Sequence, residues 1–417
     1  MKEHGKELEI MAPVGSYESL IGAIQGGANS VYFGVGKLNM RSRSSQNFTL
    51  EDLRQIASIC HNAGVKTYLT LNTIIFNSEL EEMRLTVDAA KEAGISAIIA
   101  SDLSVMTYAR SQGVEMHLST QTNITNLEAV RFFSQFADVV VTARELSLQQ
   151  VHEIVQGIER QNIKGPSGNL VQIEIFVHGA LCMAVSGKCY LSLDNLNSSA
   201  NRGACLQQCR RKYIVTDKED GHQLEIDNEY IMSPKDLCTI GFLDKIVNAG
   251  VSVFKIEGRG RGPEYVKTAT QCYREAADAV INGTFNQQKV ETWMKKLAGV
   301  YNRGFWEGYY LGRKLGEWTQ GYGSQATRQK QYLGLVTNYF SNLGVAEIKM
   351  ETHQMIIGEP LIITGPTTGV LDFEVAEIRV DLKSVGTSRK GEFCSIPVPA
   401  LVRRGDKVYK WLESNKE

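Results

Sequence analysis

No apolar run in the 417 residues reaches the roughly 18 to 20 that a membrane-spanning helix needs. The N-terminus, Met1-Lys2-Glu3-His4-Gly5, lacks the charged-then-apolar plan of a secretory signal, so a cytoplasmic protein without a membrane partner is expected. Charge of one sign is missing too, because 45 Lys and Arg stand against 46 Asp and Glu. No global field steers such a chain onto nucleic acid or lipid, and an anionic ligand has to be caught by a local patch. None of the seven histidines forms the helical His-Glu-x-x-His pair of a zinc protease, and a Gly-x-Ser-x-Gly elbow is absent. The composition, 43% apolar and 22% charged, excludes a disordered or collagen-like chain and suits two or three globular domains.

What is present is a repeated alternation. Apolar, β-branched runs at 9–14, 30–35, 66–72, 97–102, 115–119, 138–143, 173–179 and 251–257 read as strands. Most are separated by amphipathic stretches closed by Gly, as in His61-Asn62-Ala63-Gly64 and Lys91-Glu92-Ala93-Gly94, which read as capped helices. Eight such units predict an α/β fold, a (β/α)8 TIM-type barrel, over residues 1–263. A cysteine-rich insertion interrupts it at about 179–233. Residues 264–330 read as a helical and irregular connecting segment, and 331–417 as short strands between Gly and Pro turns, a small β-barrel.

Period two puts Glu174, Phe176 and His178 on one face of the seventh strand, Lys255, Glu257 and Arg259 on one face of the eighth, and Glu115, His117 and Ser119 on one face of the fifth. If the apolar faces meet the helices, these polar sets enter the lumen. Asn72, Asp102, Gln121, Arg144, His178 and Arg259 then stand at the C-terminal mouth, where barrel enzymes keep their chemistry.

The insertion carries Cys182 and Cys189, then Cys205 and Cys209. Four soft thiolate ligands within 28 residues of a polar, Gly-rich loop select zinc or an iron–sulfur cluster, although the spacing is looser than the short paired knuckles of structural zinc. Cys60, Cys238, Cys272 and Cys394 sit in helical or strand contexts and read as core residues. Basic residues follow strands on the same face: Arg41 and Arg43; Arg202, Arg210, Arg211 and Lys212; Arg259 and Arg261. They are expected to form a phosphate-binding rim.

The segment Glu174-Ile175-Phe176-Val177-His178-Gly179-Ala180-Leu181-Cys182, with Ser186-Gly187-Lys188-Cys189-Tyr190-Leu191-Ser192, resembles the signature of the collagenase-like U-32 peptidase family. The resemblance extends to Ala12-Pro13-Val14-Gly15, to Asn39-Met40-Arg41-Ser42-Arg43, to Lys255-Ile256-Glu257-Gly258-Arg259 and to Asn302-Arg303-Gly304-Phe305, and covers nearly the whole chain. Met40 departs from the commoner Asn-Ala-Arg. The family name implies proteolysis, yet the resemblance is strongest to tRNA hydroxylation proteins that make 5-hydroxyuridine at the wobble position. It implies a 4Fe-4S cluster on Cys182, Cys189, Cys205 and Cys209, tRNA as substrate, and prephenate as hydroxyl donor. A collagenase-like peptidase and a non-catalytic iron–sulfur subunit are the alternatives, and an iron–sulfur or other protein partner on the C-terminal barrel stays open.

Facing alone suggests the individual roles. Arg41, Arg144 and Arg259 are expected to clamp an anionic donor, with Arg43, Asn72, Gln121 and Lys255 as further substrate contacts. His178 is expected to transfer protons, with Glu257 as second choice.

Overall fold

The computed structural model describes residues 8–43, 47–185, 188–211, 215–216, 218–221, 223–224, 233–312, 317–319 and 323–414. Lys212, one of the expected rim cations, lies outside them. The chain begins with an alternation of β1 (Glu9–Pro13), α1 (Tyr17–Gln25), β2 (Ser30–Phe33), α2 (Asp52–Asn62), β3 (Lys66–Leu71), α3 (Leu80–Glu92), β4 (Ala97–Ala100), α4 (Leu103–Ser111), β5 (Met116–Leu118), α5 (Leu127–Phe133), β6 (Val139–Val141), α6 (Leu148–Gln161) and β7 (Gln172–Gly179). The insertion follows, with α7 (Leu191–Leu196), β8 (Val215–Thr216) and β9 (Gln223–Leu224). Then come β10 (Asp236–Cys238), α8 (Leu243–Asn248), β11 (Val253–Ile256), α9 (Pro263–Ile281), α10 (Gln287–Ala298) and β12 (Phe305–Trp306).

Strands β1 to β7 run parallel in order, and β11 pairs with both β1 and β7, which closes an eight-stranded TIM-type barrel. Helix starts follow ordinary capping chemistry. The Ser16, Asp102, Asn126 and Ser147 side chains each accept a backbone N–H of the first turn. Asp102, expected at the mouth as a chemical group, is used up as this cap and as an acceptor for Ile75 N at 3.0 Å. Helices α9 and α10 pack Tyr265, Tyr273, Trp293 and Leu297 into the same apolar core as the barrel helices.

The lumen is filled rather than open. Met11, Tyr32, Tyr68, Ala97, Ile99, Val139 and Val253 form its apolar layers. Among them lies a buried ionic group in which Lys255 Nζ donates to Glu174 Oε1 at 2.7 Å, with His117 Nδ1 3.6 Å from the other Glu174 oxygen. Burial pulls Lys255 below the usual ammonium range despite this partner. For Glu174 burial acts the other way, but Lys255 and His117 outweigh it and hold the carboxyl below its ordinary value. The period-two reading of Glu174 and Phe176 therefore holds.

At His178 that reading fails. Between Phe176 and His178 the β7–β11 ladder shifts register: Phe176 pairs with Lys255 and His178 with Ile256, leaving Val177 as the extra residue of a β-bulge. One added residue reverses the facing of everything after it. His178 turns outward against α9, with its ring 5.9 Å from Tyr265, 5.4 Å from Tyr273 and 5.8 Å from Phe305.

The C-terminal part consists of β13 (Arg328–Phe340), β14 (Val345–Met350), β15 (Gln354–Ile356), β16 (Pro360–Gly365), β17 (Gly369–Glu374), β18 (Ile378–Val380), β19 (Lys383–Val385), β20 (Thr387–Arg389), β21 (Phe393–Pro397) and β22 (Lys407–Glu413). Eight of them make one antiparallel sheet in the order β17-β16-β22-β13-β14-β21-β18-β19, around a core that includes Leu333, Ile348, Ile363, Ile396 and Val408. It docks on the barrel helices through β17 and β13. The Gln25 amide donates to Thr368 O at 2.9 Å and accepts from Val370 N at 3.0 Å, while Lys267 Nζ donates to Val370 O and Lys330 Nζ to Glu264.

The lumen pair gives a stability prediction. Lys255→Met leaves the Glu174 carboxylate buried without its cation and should cost about 3 kcal/mol. Lys255→Met with Glu174→Gln should recover most of that loss in urea unfolding, and a double variant no more stable than the single one would contradict the pairing.

Candidate active site

At the C-terminal end of the barrel a cavity of about 210 Å³ is enclosed between the strand ends and the insertion. Its wall includes Tyr32 and Thr70 from the strands, Ser119, Gln121 and Arg144 from the loops after β5 and β6, Phe176 from β7, and Lys255 and Glu257 to Arg261 from β11 and the turn beyond it. The insertion supplies Cys182, Cys189, Cys205, Cys209 and Arg210, and Arg303 reaches in from the segment before β12.

The insertion is held over the mouth by specific contacts. Arg210 donates to Leu181 O at 2.9 Å, Ser233 Oγ at 2.9 Å and Pro234 O at 2.8 Å, tying together the two ends of the excursion. Arg202 grips Glu79 at 2.6 Å and lies 3.7 Å above the Phe76 ring. Gly203 has φ +78°, and a Cβ there would meet Asn39 O at 2.3 Å and Ser42 Oγ at 2.2 Å, so only glycine allows the loop to seat against residues 39–42. Inside the insertion, Ser192 Oγ accepts from Leu206 N and Ser198 Oγ donates to Ala204 O.

Cys182, Cys189, Cys205 and Cys209 all line this one cavity and all are free thiols. Burial pushes the Cys209 thiol up to about 11; Arg210 opposes this, and Cys182, Cys205 and Cys189 add to it. The remaining cysteines, Cys60, Cys238, Cys272 and Cys394, are buried in the two cores.

The charge on the wall is lopsided. Arg41, Arg144, Arg210, Arg259, Arg261, Arg303 and Lys255 face a single wall carboxylate, Glu257, among the described residues. Arg41 pairs with Glu257 at 2.7 Å. Burial works against the Glu257 charge, but Arg41 and Arg261 outweigh it and hold the carboxyl down at about 2. Arg259, buried, donates to Thr70 Oγ1 at 2.8 Å and Asn39 Oδ1 at 3.2 Å, and its desolvation brings its pKa down to about 10. Arg144 stacks 4.2 Å from the Phe176 ring centre, and its buried Nε has no hydrogen-bond partner. Asn72 sits between Met40 N and Ser119 Oγ, and Ser119 in turn donates to Gln121.

Arg41, Asn72, Gln121, Arg144, Lys255, Glu257 and Arg259 are thus brought to one cavity together with the four cysteines. Two expected site residues are not. Arg43 is exposed and off the cavity wall, and its backbone N–H donates to Gly203 O. His178 is the larger correction, since the bulge at Val177 removes it from the mouth, and burial in its aromatic cage drops its pKa to about 3. It stays neutral and cannot carry protons for the cavity. Glu257 is in place, but a carboxyl held at about 2 in an ion pair keeps its charge and is a poor proton donor at neutral pH. The expected phosphate rim is also revised, because Arg202, Arg210 and Arg259 turn inward onto protein acceptors. Tyr32, Thr70 and Arg303 are further wall residues, beyond those expected from the sequence. The first two follow the same period-two rule along β2 and β3, and Arg303 lies in the Asn302-Arg303-Gly304-Phe305 segment.

His178 has a consequence for acid stability. The unfolded chain takes up a proton below about pH 6.5 that the folded protein refuses until about 3, so stability falls as the pH drops through that window. His178→Phe puts a ring that cannot titrate into the same cage. Its stability relative to wild type in urea should improve by roughly 2 kcal/mol between about pH 7.5 and about pH 5. A gap that does not move with pH would show that His178 is not held neutral.

Comparison with known proteins adds three relatives. The family model described as peptidase family U32 matches residues 15–320. A protein of Porphyromonas gingivalis named collagenase is 60% identical over 405 residues, spanning 97% of this chain and 98% of its own. The tRNA hydroxylation protein P1 of Bacillus subtilis is 32% identical over 342 residues, 80% of this chain and 78% of that one. The 23S rRNA 5-hydroxycytidine C2501 synthase of Escherichia coli is 35% identical over 275 residues, 66% of this chain and 40% of its own.

Proposed function

The chain belongs to peptidase family U32, and we propose that it is an oxygen-independent tRNA hydroxylase that forms 5-hydroxyuridine at the wobble position, using a 4Fe-4S cluster and prephenate. The observation that carries this reading is one cavity in which four thiols meet an arginine-lined pocket. Cys182, Cys189, Cys205 and Cys209 would hold the cluster. Among the described residues no three His, Cys, Asp or Glu side chains converge as a single metal ion requires. Thiols spread around a shared space suit a polynuclear centre, where each meets its own iron, better than one tetrahedral zinc. Bound there, the cluster supplies one-electron redox chemistry beside the substrate.

The protein's own residues bind and orient. Among the described residues Arg144 has a buried Nε without a hydrogen-bond partner, and Arg261, which acts on Glu257 only at a distance and lies 3.6 Å from the Tyr301 ring, makes no ion pair, so these two would offer their guanidinium groups to a carboxylate. Arg41 and Arg259 are engaged with Glu257, Asn39 and Thr70 and shape the wall around them. A dianion such as prephenate offsets the positive excess of the wall, which favours a doubly charged donor over a neutral one. Relatives named for tRNA hydroxylation and for rRNA hydroxycytidine synthesis support hydroxylation of RNA as the reaction class.

A peptidase is the second reading, favoured by the 60% identical relative named collagenase. Against it, no histidine lines the cavity among the described residues, and His178, the nearest to Cys182 in sequence, is turned away from it, so among the described residues no histidine stands as base for a cavity cysteine.

Nucleoside analysis of tRNA from a deletion strain lacking any oxygen-dependent route should show loss of 5-hydroxyuridine, restored by the wild-type gene and not by Cys182→Ala. Anaerobically reconstituted Cys182→Ala should lose iron. Arg144→Ala should retain iron but lower the modification about tenfold or more at limiting prephenate, as expected for loss of a charge-assisted contact. Normal 5-hydroxyuridine in the deletion strain, or gelatin cleavage abolished by Cys182→Ala in protein free of other proteases, would remove the hydroxylase reading.

A further inference from the structure

The C-terminal sheet has its own concave surface, separate from the cavity. Its solvent side between β13, β14 and β21 forms a groove closed at one end by the turn before β22. Cross-strand register sets what faces outward. Lys349 stands opposite Phe393, while Ile348, Met350 and Cys394 on either side point into the core. Arg403 and Arg404 come from the turn that enters β22, whose backbone is pinned to β13 by Val336 N to Asp406 O and Gly405 N to Val336 O.

Three features of this groove call for a ligand. Lys349, Arg403 and Arg404 are exposed, and none of the three side chains has an ion pair or hydrogen bond among the described residues, whereas most cations facing the cavity are engaged. The one groove carboxylate, Glu347, is occupied by Thr337 Oγ1 at 2.6 Å. Phe393, on the groove wall opposite Lys349, is 52% exposed. An open aromatic ring next to unpaired cations is an arrangement that holds single-stranded nucleic acid, the cations taking phosphates and the ring taking the flat face of a base. The groove also lies on the half of the sheet away from β17, the strand that packs on α1 and α9, so the barrel leaves it uncovered.

We propose that this groove is a second RNA-binding site, in which Lys349, Arg403 and Arg404 grip the backbone of a single-stranded segment and Phe393 stacks on one of its bases. The choice of RNA among polyanions rests on the function proposed above, and the site adds to it a hold on the substrate away from the reacting base. A strand held by its phosphates and by one stacked ring is gripped with little regard to sequence, so affinity should be similar for different unpaired sequences and strongly dependent on salt.

The test is fluorescence anisotropy of the full-length protein with a labelled single-stranded oligouridylate across a salt series. Arg403→Glu with Arg404→Glu should weaken binding at least tenfold and reduce the slope of log affinity against log salt by about 1.4, two phosphate contacts at roughly 0.7 each. Phe393→Ala should weaken it about fivefold or more with the slope unchanged, the mark of lost stacking. Arg403→Gln with Arg404→Gln repeats the first change without added negative charge, and thermal melts confirm that each variant is folded. Wild-type affinity in both the arginine and the phenylalanine variants overturns the proposal. So does competition by polyglutamate as strong as by RNA together with a silent Phe393→Ala, which would mark the groove as a seat for an acidic protein. Weakened oligouridylate binding in these variants alongside normal 5-hydroxyuridine in the deletion strain would keep the groove and discard the hydroxylase.

Discussion

The seam between β7 and β11 is the contact on which the rest of the molecule depends. It closes the barrel, brings Glu174 and Lys255 together in the lumen, and carries the bulge at which β7 changes facing just before the chain leaves for the insertion. The bulge is fixed by its own carbonyl. Val177 O accepts from Thr239 N, Thr239 Oγ1 and the Tyr273 hydroxyl, so α9 and the residues after β10 both depend on the extra residue. Below the bulge the strand faces a polar lumen, and above it His178 faces an aromatic cage; the two environments are one residue apart.

Most of the architecture was legible because its signals are periodic. Eight apolar runs separated by Gly-capped helices describe a barrel, and four cysteines in one polar excursion describe one site. Alternation correctly put Glu174, Phe176, Lys255 and Glu257 on the inner side, and it failed at His178 because a bulge leaves no mark in a β-branched run such as Ile175-Phe176-Val177. Arginines were misjudged for a different reason. A basic loop residue looks alike whether it meets solvent or a backbone carbonyl, and Arg210, bonded to three acceptors from two distant segments, is invisible to any argument from neighbours in sequence. Strands of three residues, such as β18, β19 and β20, are too short to show a period at all.

Electrostatically the barrel is organised in depth. Near its closed end the charges are matched, with Glu9 accepting from Ser30, Tyr68 and Lys66, and Glu174 from Lys255. Toward the mouth the balance tips to positive, and cations outnumber the carboxylate beside them. A neutral chain thus concentrates a strong local field at its cavity, which its overall charge conceals. A low dielectric at the same place strengthens every such contact.

The rung where the insertion departs and returns has a further meaning. Gly179, the last residue of β7, lies directly opposite Leu237 of β10, so the chain leaves the barrel and re-enters it at neighbouring positions of one antiparallel ladder. An excursion anchored in this way behaves as a detachable module. Its length and content can change without altering the spacing of its anchor points, and the entropy of closing it rises by only about 0.6 kcal/mol for each doubling of its length. The barrel beneath is a chassis onto which a different cap could be grafted, and the natural cut points for exchanging caps between related chains are these two facing residues.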